Sequence, residues 1–122
     1  MTELTSNRTY VALAAFQAVD AAACVGPVAP IAEALRTVGL PKRFWPLLPV
    51  VKAVSAVGLS AVSRSPALAR VTTFLLTVYF VLAAGSHVRA KDWSPGLIAS
   101  SSFLVLYGLL TVKGPAAART AR

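Results

Sequence analysis

Residues 71–88 read VTTFLLTVYFVLAAGSHV, and four residues later residues 93–112 read WSPGLIASSSFLVLYGLLTV. Neither stretch contains Asp, Glu, Lys or Arg, and each is long enough to carry a helix across about 30 Å of hydrocarbon. Lipid offers no water to an open backbone, so a crossing segment must satisfy its own N–H and C=O groups as a helix. The short connection between the two runs forces an antiparallel return.

Two weaker runs lie upstream. Residues 9–26 hold one charge, Asp20, and stop at Pro27 and Pro30. Residues 47–63 hold Lys52 and follow Phe44 and Trp45, aromatics of the kind that settle at headgroup depth. The expected fold is all-α: an integral membrane up-down-up-down four-helix bundle, one transmembrane domain over residues 1–122. Its spans are placed at 9–26, 47–63, 71–88 and 94–112, with a short basic tail at 113–122.

Composition points the same way. Of 122 residues, 57% are apolar and 13% charged, against about 25% charged in an average soluble domain. That apolar surplus exceeds what one small core can hide, so lipid or partner protein must cover the rest. Lys and Arg number 12 against 4 Asp and Glu. These cations fall between the apolar runs instead of sharing one solvated face, which argues against nucleic acid and for anionic headgroups, at about 1 kcal/mol per cation. Only Arg8 precedes the first run, so that run is expected to be a retained helix and not a cleaved signal peptide.

Between the first two spans, Ile31, Leu35 and Val38 recur on one helical face after Pro30, and Gly39 and Pro41 supply a stop. This predicts a short interfacial helix over 30–38. The returns at 64–70 and 89–94 are tight, with Ser94 and Pro95 suited to open the last helix. Six cations (Arg8, Arg64, Arg70, Lys113, Arg119 and Arg122) flank the side of the termini, against five (Arg36, Lys42, Arg43, Arg89 and Lys91) opposite. That balance leans towards cytoplasmic termini in a multi-pass protein of the cell membrane. Ala14, Ala18 and Ala22, Ala56 and Ser60, and Gly96 and Ser100 are spaced for close helix approach.

A charge in mid-span costs about 2.5 to 3.5 kcal/mol on insertion scales, so Asp20 and Lys52 need partners. Both lie roughly 8 to 9 Å inside the same face at 1.5 Å per residue, which lets them pair as a latch between spans one and two. Gln17 and Cys24 share a stripe with Asp20, and His87 closes span three at that face. Asp20, Lys52, His87, Cys24 and Gln17 therefore form a candidate intramembrane polar cluster, suited to a relay or an anionic headgroup site. The simpler readings are a latch for the ion pair, an interfacial hydrogen bond for His87 and an apolar filler for Cys24. Arg36, Lys42, Arg43, Trp45, Arg89 and Lys91 are candidate headgroup contacts. Tyr10, Tyr79 and Tyr107 read as packing or interface residues. With one Cys and one His, no disulfide, CxxC pair or all-protein metal centre is expected, no cofactor is implied and no catalytic residue can be named.

Leu40-Pro41, residues 47–59 (LLPVVKAVSAVGL) and residues 79–89 (YFVLAAGSHVR) resemble the DoxX-like family of small four-helix membrane proteins. The most specific pieces are Lys52 with Gly58 and the His87-x-Arg89 ending. The chain departs from the family pattern at Pro49-Val50-Val51, where a glycine often stands, and in span one, which has Asp20 but no glycine-lysine ending. The resemblance implies an accessory role, since the family takes its name from a subunit of an archaeal quinol oxidase and several members look like subunits of larger assemblies. The expected function is a non-catalytic accessory subunit of a larger membrane enzyme or transporter complex of respiratory or lipid-transport type, in contact with membrane lipids. The alternatives are a quinone- or thiol-linked membrane redox protein and a lipid-binding or lipid-transport helper.

Overall fold

A computed structural model describes residues 5–116. Five helices follow one another: α1 (Asn7–Val25), α2 (Ala29–Thr37), α3 (Leu47–Ser60), α4 (Pro66–Arg89) and α5 (Pro95–Lys113), with a 3₁₀ turn at Lys42–Phe44. The architecture is all-α among the described residues. Helices α1 and α3 pack along their length, as do α4 and α5, and a narrower α3–α4 contact joins the two pairs.

Local chemistry sets the helix ends. Ser65 Oγ accepts from Leu68 N at 3.3 Å and Pro66 opens α4; Ser94 Oγ accepts from Gly96 N at 3.2 Å and Pro95 opens α5. Both follow the usual logic of an N-terminal cap and a proline whose missing N–H is not needed. Helix α5 stops at Gly114, whose φ of 73° lies in the left-handed region that glycine adopts without strain. The Arg70 guanidinium supplies the last carbonyls with partners, donating to Thr111 O at 2.7 Å and Val112 O at 2.9 Å.

Helix α4 therefore starts five residues before the apolar run at 71–88, because a helix need not end where hydrocarbon does. Two helices, α4 and α5, are each long and apolar enough to cross a membrane, and the pair α1 and α2, bent by 81°, makes a third candidate. The fourth expected span, 47–63, differs. Helix α3 has 14 residues, about 21 Å at roughly 1.5 Å per residue, and the chain turns at 61–64. The expected helix at 30–38 is present as α2.

The packing is inside-out for a water-soluble domain. Val50, Val54, Val57, Val71, Phe74 and Leu75 face outward, while Gln17, Ser55, Thr72, Thr73 and Ser100 are buried. Buried hydroxyls among these spend their protons within the helices: Thr72 Oγ1 donates to Leu68 O and Thr73 Oγ1 to Arg70 O. That satisfies polar atoms locally and leaves the outer surface to apolar side chains.

The apolar core sits towards the termini. Tyr10, Leu59, Val62, Ala69, Leu76 and Leu110 form it with Phe80 and Tyr107. Gly58 is required there by close approach: a Cβ at that position would stand 2.0 Å from Thr72 Oγ1. A backbone bond from Ala116 N to Thr5 O, 2.9 Å long, ties the two chain ends together.

Candidate functional site

The end opposite the termini is hollow. A cleft of about 610 Å³ opens between α1, α3, α4 and α5 and is roofed by α2 and the stretch that follows it. The bend of 81° after α1 lays α2 across the bundle, and Ile31, Ala34, Leu35 and Val38 turn their apolar face to the cleft while Glu33, Arg36 and Thr37 face outward. Helix α2 has no buried residue and no extensive contact with any other helix. It is a roof with space beneath it.

Aromatic rings form one apolar wall. Phe16, Phe80 and Phe103 line the cleft, with Phe16–Phe103 and Phe80–Phe103 centroids 5.1 and 5.3 Å apart. Tyr107 stacks on Phe80 at 5.7 Å and 7°, separations favourable for aromatic pairs. The Tyr107 hydroxyl accepts a 2.9 Å hydrogen bond from Gln17 Nε2.

The polar groups occupy separate places. Lys52 Nζ forms an ion pair and hydrogen bond with Asp20 Oδ2, and lies 5.9 Å from the Tyr79 ring centroid. Cation and carboxylate are thereby neutralised within the cleft wall, and the ring face adds a second favourable contact for the ammonium. Across the cleft, at the end of α4, His87 Nδ1 is 2.6 Å from Asp92 Oδ2. Asp92 lies in the 90–94 return, where hydrogen bonds from His87 and then Ser94 hold its carboxyl below the usual carboxylate range.

Of the five residues proposed as a polar cluster, Asp20, Lys52 and His87 line the cleft. Gln17 and Cys24 are not on its wall: Gln17 is engaged with Tyr107, and Cys24 is a buried free thiol in α1. Of the headgroup candidates, Arg89 lies at the cleft, and Arg36, Lys42, Arg43 and Lys91 are exposed around that end. Lys42 sits 5.9 Å from the Trp45 ring centroid and Arg43 4.8 Å from that of Phe44, while Trp45 Nε1 donates to Leu40 O at 2.9 Å. Among the described residues, no group of three His, Cys, Asp or Glu side chains could hold a metal ion.

Sequence reasoning missed Asp92 as the partner of His87 and Tyr79 as a cleft residue. A signal for Tyr79 existed: Tyr79, Ala83 and Ser86 recur at helical spacing on one stripe of α4, and all three line the cleft. Asp92 follows His87 by five residues, beyond the helix end, and helical periodicity says nothing about where a return folds back.

No curated protein and no solved structure matches the chain significantly. The DoxX-like family profile matches residues 9–110, from the first turn of α1 to the last turn of α5. That match takes in Lys52, Gly58 and the His87-x-Arg89 ending along with the hollow end of the bundle, and the chain belongs to the DoxX-like family.

Proposed function

We propose that this protein is a four-span membrane protein that binds one lipophilic molecule with a polar end in the cleft beneath α2. The observation that carries the proposal is the cleft itself: about 610 Å³ falls in the range of roughly 300–1,000 Å³ occupied by small-molecule sites. Its walls are apolar and aromatic, with a few polar side chains, Asp20, Lys52, His87 and Arg89 among them. A single-chain lipid or a lipophilic ring compound matches both features. A diacyl phospholipid with two full chains is too large for it.

Helix α2 serves as an interfacial roof, with Arg36 outward towards headgroups and Leu35 inward towards the ligand. Helix α3 crosses with help from the turn at 61–64 and a thinned bilayer, since its outward Val50, Val54 and Val57 suit lipid. Both termini lie on the cytoplasmic side in this arrangement.

The test is native mass spectrometry of the tagged protein extracted gently from its own membranes. One bound amphiphile per chain is expected, and its mass identifies it. Ala34→Phe and Ala83→Phe, which fill the cleft from the roof and from one wall, abolish that adduct without lowering the melting temperature. Adducts unchanged by both substitutions place the molecule elsewhere and overturn the proposal. The same spectra read the accessory-subunit alternative: stoichiometric protein partners with an empty cleft favour it.

A further inference from the structure

The exposed edge of His87 defines the ligand more closely, on the assumption that the cleft is the binding site. His87 is 8% exposed and stands on the cleft wall. Its Nδ1 faces Asp92 Oδ2 at 2.6 Å. An ionised carboxylate can only accept, so Nδ1 carries the hydrogen, and in its uncharged form the ring presents Nε2 as a bare acceptor. Nε2 makes no hydrogen bond with any described residue.

The position facing that edge is Gly96. A Cβ there would lie 2.8 Å from His87 Cε1 and 3.3 Å from Nε2, so any larger residue would cover the edge or displace the ring. Gly96 and His87 both line the cleft. Of the other polar groups, Lys52 is matched by Asp20 and Ser86 Oγ donates to Leu82 O, while the hydroxyls of Tyr79 and Ser100 belong to the lining as well. Nε2 is the ring acceptor that this wall offers to a ligand. An acceptor set in an apolar wall rejects a group that brings only lone pairs and rewards one that brings a hydrogen.

We infer that the His87–Asp92 pair selects a ligand whose polar end donates a hydrogen bond, a lipophilic alcohol or phenol, with His87 as the contact and Asp92 as the positioning residue. Arg89, at the rim of the cleft, is the competing determinant and favours an anion instead.

The experiment compares three probes with one apolar tail: 4-dodecylphenol, its methyl ether and 4-dodecylbenzoate. Each is titrated against the full chain in detergent at pH 8, after its own partition into micelles has been measured. The native protein binds the phenol at least tenfold tighter than the ether, and His87→Phe brings the ratio to about one. Asp92→Asn lowers the ratio severalfold. Because this is the chain's single histidine, its imidazole ¹⁵N resonances are unambiguous, and phenol, but not ether, shifts Nε2. Equal binding of phenol and ether by the native protein overturns the inference and leaves the cleft reading standing. Tightest binding of the benzoate also overturns it, in favour of Arg89. Binding of none of the three removes both readings together. The native-protein ratio and the ¹⁵N shift need no variant, so a misfolded His87→Phe does not spoil the test.

Discussion

The two ends of this bundle are built from the same alphabet and behave oppositely. At the end of the termini, helices touch through Gly58 and Thr72, Thr111 Oγ1 donates to Thr73 Oγ1 at 3.0 Å, Arg70 closes α5, and Thr5 meets Ala116. Tyr10, Leu59 and Leu110 are fully buried there. At the other end the same four helices enclose a cleft of about 610 Å³ under a roof with no buried residue of its own. Small residues and side-chain-to-backbone bonds draw helices into contact in lipid; at the hollow end the rings of Phe16, Phe80 and Phe103 face open space. The contrast separates stability from binding: one end holds the fold, the other offers space.

The comparison is broken most severely by attacking the ion pair in the wall of the hollow end. Asp20→Asn strands Lys52 in an apolar wall, and the loss expected is about 3 kcal/mol, read as a lowered melting temperature in detergent. Adding Lys52→Met recovers much of it, because both members are then neutral; strictly additive effects in that cycle would show that the pair is not coupled. Next comes the closed end. Gly58→Ala forces a methyl group into Thr72 and destabilises by about 2 kcal/mol, and Thr72→Ala, which clears the space, reduces the penalty. A change at this end leaves ligand binding at the other intact, which is the sharpest check of the division.

Smaller effects refine the contrast. Arg70→Met frees the carbonyls of Thr111 and Val112 and costs about 1 kcal/mol, visible as faster amide exchange in the last turn of α5. The smallest is the acid response of the α4–α5 return. Asp92 titrates below its ordinary range because His87 and Ser94 bond its charged form. The stability it contributes is present above the ordinary carboxylate value near about pH 4 and is lost as pH falls towards the lowered one. The melting difference between native protein and Asp92→Asn therefore shrinks as pH falls below about 4; a difference that grows through that range contradicts the pairing.

Much of this was legible in the linear chain. Uncharged runs at 71–88 and 93–112 marked α4 and α5, Ser94-Pro95 marked a helix start, and the spacing of Ile31, Leu35 and Val38 marked α2 as amphipathic. Asp20 and Lys52 were legible as a pair because both lie at equal depth in neighbouring helices, and depth follows from residue count alone. Gln17 and Cys24 share a helical stripe with Asp20, yet a stripe is wider than a cleft wall, and α1 turns them into its contacts with other helices.

The amino-acid order by itself determined a helical chain with apolar segments fit for a membrane and with Asp20 and Lys52 at matching depth, because hydrophobicity, periodicity and length act along a single segment. Tertiary structure alone decided that α3 stops at Ser60, that α2 folds over an open space and that Asp92 returns to His87. These depend on bend angles and on which side chains meet across helices, quantities carried by no single segment. A cleft is the space that several segments jointly leave unfilled, and no residue encodes it alone.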